Sequence, residues 1–189
     1  MRTAIIIAFA IAPLLSALGQ TNDNSTVAQK VQAYGQAVEK IRTDCIQGRR
    51  IICGKILKLL PDGLVVESGY TNLMRPPLNK SWLIPGTVQA SNQANLVEDN
   101  EPGCVCVGPV FLTALPKSRR APKPKLYDYV VIEAYPAGKY TYTSVGTIQR
   151  TVRRFAATLQ TALRINREIA GLTPPVIPPT SPPAAGSGK

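Results

Sequence analysis

The sequence predicts a mainly β domain with a helix on either side, and three observations carry that expectation. Residues 51–70 read as two strands joined by a tight turn, and the first arm is apolar on both faces. Residues 127–145 read as a second hairpin, with the same Pro-x-Gly layout at its centre. Flanking segments carry apolar residues at helical spacing. A hairpin without a wet face requires the rest of the chain to wrap it, as a sandwich or barrel. At 189 residues, one domain is the natural count, with chain enough for a core.

Residues 1–19 have the three parts of a secretory signal peptide: Arg2, an apolar run over 5–15, and Ala17-Leu18-Gly19 ahead of Gln20. The run is shorter than the about 20 residues a membrane span needs; an uncleaved anchor is the alternative. A secreted or periplasmic, cell-envelope location is therefore expected. Within 20–50, a polar start leads into Val27, Val31, Tyr34, Val38 and Ile41, spaced four, three, four and three. That is one helical stripe, with Ser25 or Thr26 as N-cap, expected to pack on its own domain rather than on a partner.

In the hairpin, Pro61 presets the first corner of a type I turn, Asp62 suits the second, and Gly63 is expected in the left-handed conformation. Ile52, Ile56 and Leu60 fall on one face by alternation; Ile51, Cys53, Leu57 and Leu59 fall on the other, with Lys55 the charge among them. A further strand is expected over 81–88, broken at Pro85-Gly86, with Trp82 as a core residue. Residues 89–103 form a polar loop whose Glu98, Asp99 and Glu101 lack the ligand spacing of a calcium loop. Residues 104–115 read as a buried strand. In 116–125, prolines space Lys117, Arg119, Arg120, Lys123 and Lys125 into an extended basic loop. In the second hairpin, Val130, Ile132 and Ala134 face one way and Tyr129, Val131, Glu133 and Tyr135 the other. A strand over 147–155 and a C-terminal helix over 156–172 follow, then a disordered, Pro-rich tail over 173–189.

In an exported chain, Cys45, Cys53, Cys104 and Cys106 read as two disulfides. Cys104 and Cys106 would strain a bridge to each other, so the expected pairing ties the Cys45–Cys53 segment to the Cys104–Cys106 strand. No C-x-x-C pair is present to hold a metal, and no cofactor is expected.

The stretches GKILKLLPDGLVVESG and PAGKYTYTSVG…TVRRF are similar to those of small secreted bacterial proteins with an SH3-like or OB-like barrel. The resemblance spans residues 51–155 and implies a binding-type β-barrel, without catalytic residues.

The chain contains no histidine. That removes the usual general base and the Ser-His and Cys-His nucleophile pairs, and no enzyme activity is expected. Glu67 and Glu133 are the one carboxylate pair on hairpin arms, each expected to be a plain solvent-facing residue. The formal net charge of +11 draws the chain to anionic polymers. Five of the seven tyrosines lie between Tyr127 and Tyr142, between the basic loop and Arg150, Arg153 and Arg154. Tyr140 and Tyr142 beside these cations make the candidate grip on an envelope glycan, lipid head groups or nucleic acid. The alternative is a structural or assembly protein of a cell-envelope complex, with the N-terminal helix or Pro-rich tail meeting a protein partner. Asn24 and Asn79 sit in N-x-S/T sequons.

Overall fold

The computed structural model describes residues 23–78, 81–93, 95–116, 123–144 and 146–176. The expected signal segment, most of the Pro-rich tail, Asn79, Lys117, Arg119 and Arg120 lie outside these residues. The described chain is mainly β: α1 (Asp23–Gln47), β1 (Arg50–Leu60), β2 (Gly63–Ser68), a 3-10 turn (Thr71–Met74), β3 (Leu83–Ile84), β4 (Gly108–Thr113), β5 (Tyr129–Thr143), β6 (Gln149–Ala156) and α2 (Leu159–Ile169).

The six strands form one sheet in the order β1-β2-β4-β6-β5-β3, and β1 also pairs with β5, so the sheet curls into a partial ring. Only β4–β6 is parallel. β1 splits its length between partners. Arg50 to Lys55 face β5, whereas Gly54 to Leu60 face β2. Gly54 lies where the two pairings overlap, and a Cβ there would run into the Glu67 carbonyl. Strands that meet so closely admit only glycine.

The interior face buries Ile52, Ile56, Leu64, Val66, Val110, Leu112, Val130, Ala134 and Phe155, with Trp82 packed against them. On the exterior face, Val65, Phe111 and Val152 form a second cluster with Leu60, Tyr140 and Tyr142 against it. At one end, α2 packs on the sheet and on α1, burying Cys45, Ala137, Ala156, Ala162 and Ile165. Thr158 caps α2 by accepting from the Thr161 amide.

Several expectations need correction. The turn at Pro61-Asp62 forms, but Gly63 is not left-handed; glycine is required because a Cβ would meet the Leu112 carbonyl. Leu60 leaves the face of Ile52 and Ile56, since a bulge between Ile56 and Lys58 inserts Leu57 and reverses the alternation beyond it. The second hairpin is no hairpin. β5 runs unbroken through Pro136-Ala137-Gly138, because Pro136 and Lys139 both pair with β6 and the residues between form a bulge, with Gly138 at φ 83°. The real turn follows β5, where Ser144 donates to the Ile148 carbonyl at 2.7 Å. The 81–88 strand shrinks to two residues, and the 104–115 strand starts only at Gly108. α1 begins at Asp23, ahead of the expected caps Ser25 and Thr26, and runs past Ile41 to Gln47.

The two expected disulfides are absent: Cys45, Cys53, Cys104 and Cys106 are free thiols. The segments they were to join do meet, through backbone. Ile51 donates to the Cys104 carbonyl and accepts from Cys106, both at 2.9 Å. Val105 lies opposite Ile51 in that pairing, so alternation sends Cys53 to one face and Cys104 and Cys106 to the other. Cys45 is spent in the helical cluster, where Asn166 Nδ2 donates to its sulfur at 3.2 Å.

Candidate binding groove on the exterior face

The exterior face is built from strands distant in sequence. Lys58 and Val65 lie opposite each other on β1 and β2, Val65 faces Phe111 of β4, and Val152 of β6 faces Tyr140 of β5. Phe111 and Tyr140 stack in parallel, centroids 3.7 Å apart and planes 9° from coplanar. Tyr142 lies opposite Arg150 two pairs further along, on the same face. Lys58 closes the arrangement from the far side. Its Nζ donates to the Thr143 carbonyl at 2.5 Å and stands 5.9 Å from the centre of the Tyr142 ring.

A groove of about 430 Å³ results, lined by Leu57, Lys58, Leu59, Leu126, Tyr142 and Arg150 among others. Its rim is apolar and basic together. Leu57, Leu59, Leu126 and Tyr127 are among the most exposed large apolar side chains. Lys55 Nζ sits 5.0 Å from the centre of the Tyr127 ring, and Lys125 is exposed next to Leu126.

The expected site residues therefore divide. Tyr140, Tyr142 and Arg150 share the exterior face, with Tyr140 serving as floor on Phe111. Lys123 and Lys125 are exposed on the segment that leads into the groove at Leu126. Arg154 points to the same face, but its Nε is held by the Ala137 carbonyl at 2.8 Å. Arg153 alternates to the other side and is engaged elsewhere. The sequence reading missed Lys58, Leu57, Leu59 and Phe111. Lys55 and Lys58 are three apart, which strict alternation sends to opposite faces; the bulge at Leu57 brings both outward. Glu67 lies opposite Lys55 and Glu133 opposite Ile51 on the other edge of β1. Strand spacings put that pair roughly 16 Å apart, beyond either geometry used by paired glycosidase carboxylates.

Arg153 grips Glu98 with two parallel bonds of 2.7 Å, and its Nη2 also donates to the Val107 carbonyl at 2.7 Å. The Val107 amide donates to Glu98 Oε2 at 3.0 Å, and Arg50 Nε stands 3.5 Å from Oε1. The 89–103 loop is thus clasped to the domain, where a merely solvated loop was expected. Burial pushes the Glu98 carboxyl up, but the Arg153 and Val107 hydrogen bonds and the charges of Arg153 and Arg50 outweigh it and hold the group below the usual carboxylate range. Burial pushes the neighbouring Cys106 thiol up to about 12, which leaves it protonated and unreactive at neutral pH.

The clasp makes a pH prediction. Glu98 has a depressed folded pKa, so its stabilisation is present above the unfolded carboxyl value of about 4.3 and is lost as pH falls through the folded value. Glu98→Gln should lower stability at pH 7 by roughly 1–2 kcal/mol, a charged hydrogen bond discounted for the half-exposed arginine. Denaturant titrations from pH 7 to 2 should show the two proteins converge in acid; a constant gap would disprove the linkage.

No family model matches the chain, and no curated protein or solved structure is significantly similar to it. Among the described residues no cluster of His, Cys, Asp and Glu could hold a metal ion, and no helix is long and apolar enough to cross a membrane.

Proposed function

We propose that this protein is an exported, non-catalytic binding module for a linear anionic polymer, an envelope glycan before nucleic acid or lipid head groups. The observation that carries the reading is the exterior groove, where Tyr142 lies between Lys58 and Arg150 with Leu57, Leu59 and Leu126 alongside. Exposed rings stack on sugar or base faces, while the cations pair with phosphate, sulfate or carboxylate.

We read the partial ring as an OB-like barrel. Supporting this are the order β1-β2-β4-β6-β5 with return to β1, and parallel pairing of β4 with β6 alone. In five-stranded barrels of that type, the face of the second and third strands and the loops flanking it grip oligonucleotides and oligosaccharides. Here that face carries Val65 and Phe111, and the flanking turns are Pro61-Asp62 and the one after Thr143. The signal-like residues 1–19 support a location outside the cytoplasm, and the lack of histidine supports binding over catalysis.

The test is retention on immobilised heparin, anionic wall polymer, single-stranded DNA and neutral dextran across a salt gradient. Retention on the polyanions should fall steeply with salt, because binding releases counter-ions, and dextran should retain nothing. Lys58→Glu with Arg150→Glu should weaken polyanion binding about tenfold or more at low salt. Reversing Lys117, Arg119, Arg120, Lys123 and Lys125 together should do the same with the fold intact. If both variants elute with the wild type on every matrix, the groove and loop have no such role and the envelope-assembly reading takes precedence.

A further inference from the structure

The apolar stripe of α1 does not end where its packing ends. Val27, Val31, Tyr34, Val38, Ile41 and Cys45 follow one another at four, three, four, three and four. This is the a/d pattern of a heptad repeat, with Val31, Val38 and Cys45 at a and Val27, Tyr34 and Ile41 at d. α2 uses only the last two. Cys45 is buried and Ile41 packs beside it against Ala162 and Ile165. The reason is length: α1 has 25 residues against 11 in α2, about 37 Å against 16 Å. Val27, Val31, Tyr34 and Val38 join none of the hydrophobic clusters of the described residues, and Val31 is 39% exposed.

We propose that this N-terminal half of α1 pairs with the same segment of a second copy, as a short, parallel, two-stranded coiled coil. Three features select a second copy over another occupant. The spacing is that of a heptad seam, and Val31 and Val38 place β-branched residues at two successive a positions, as parallel two-stranded coils do, with Val27 and Tyr34 in place of leucine at d. Small residues, Ala28, Gly35 and Ala37, flank the seam, and nothing lies within 4 Å of a Cβ placed on Gly35, so two helices can approach closely. Charge is the third. The chain carries +11, yet within α1 Asp23, Glu39 and Asp44 balance Lys30, Lys40 and Arg42. Two copies of so basic a protein repel elsewhere and can meet here, and a neutral seam offers an anionic partner nothing. Four apolar layers only approach the roughly 1,000 Å² of a stable interface, so the pairing depends on protein concentration. This inference stands apart from the ligand reading, though a dimer would set two grooves on one polymer and add avidity.

The experiment is sedimentation of the full chain at rising concentration without ligand, joined to cysteine crosslinking. The wild type should pass from monomer to twice that mass across the micromolar range. Val31→Glu with Val38→Glu, on a face that joins none of the hydrophobic clusters of the described residues, should stay monomeric with an unchanged fold by circular dichroism. In a parallel coil an a position meets its own counterpart at disulfide distance. Val31→Cys should therefore crosslink at least about tenfold faster than Gln36→Cys on the outer face, above the background of the unsubstituted chain. A wild type monomeric throughout, or dimeric only when heparin is added, overturns the proposal. So does a dimer that survives the glutamates, or equal crosslinking at positions 31 and 36.

Discussion

Phe111→Ala is expected to lower folding stability by about 3–5 kcal/mol and to weaken polymer retention in the protein that remains folded. Phe111 is 1% exposed, central in the exterior cluster, and carries the stacked ring of Tyr140. Removing it opens a cavity between Val65 and Val152 that the paired strands around it cannot close, because β4 is bonded on both edges. It also leaves Tyr140 without its platform, so β5 loses the support that sets the neighbouring Tyr142 in the groove. Urea titration measures the first effect; heparin retention under conditions where the variant is folded measures the second. A cost below about 1 kcal/mol would mean that the exterior cluster contributes little. Unaltered retention would mean that Tyr142 is positioned without it.

Alkali should destabilise the protein from about pH 8.5 upward. Burial raises the thiols of Cys45, Cys53 and Cys106, the last to about 12. The unfolded chain ionises its thiols near pH 8.5, so above that value it holds fewer protons than the native state and stability falls as pH rises. For Cys106 the window runs from about 8.5 to 12, with a slope of about 1.4 kcal/mol per pH unit once the unfolded thiol is ionised. Cys45 and Cys53 add to it over narrower ranges. Thermal melts from pH 7 to 11 should show the midpoint dropping, and Cys106→Ala should flatten the decline. Iodoacetamide adds a count: without reductant, the native protein should label first at half-exposed Cys104, and the urea-unfolded protein at all four. Fewer than four labels in urea would show a bridge.

How much could be read from the chain depended on how far each decision reached. The β1–β2 hairpin was legible because Pro61-Asp62 and the apolar runs beside it settle the matter within twenty residues. The long β5 was not. Pro136-Ala137-Gly138 has the same local chemistry as a turn, and only the pairing of Pro136 with Phe155 makes it a bulge instead. The extra residue at Leu57 likewise depends on where β2 sits, and with it went the placement of Lys58. Tyr140 and Tyr142 could be put on one face because strand alternation is short-range. Arg150 was named only by its nearness in sequence, since the turn that sets it opposite Tyr142 follows Thr143 and not Pro136. Their partners Phe111 and Lys58 come from other strands, and composition gave no sign of them. Arg153 looked like its neighbours until Glu98, 55 residues away, took its guanidinium.

The double pairing of β1 also bears on the order in which the chain can assemble. β1 and β2 meet across a two-residue turn, whereas Arg50 must wait for Ala134 and Val110 for Arg153. Closing such distant contacts spends loop entropy before any burial returns it, the regime in which folding takes milliseconds to seconds. A nascent chain that has emerged only as far as β4 therefore holds a hairpin in which Ile51 is already tied to Cys104 and Cys106, while the edge that β5 will take has open hydrogen-bonding groups at Arg50, Ile52 and Gly54. Until β5 is made, that edge is the place where a second unfinished chain would add on.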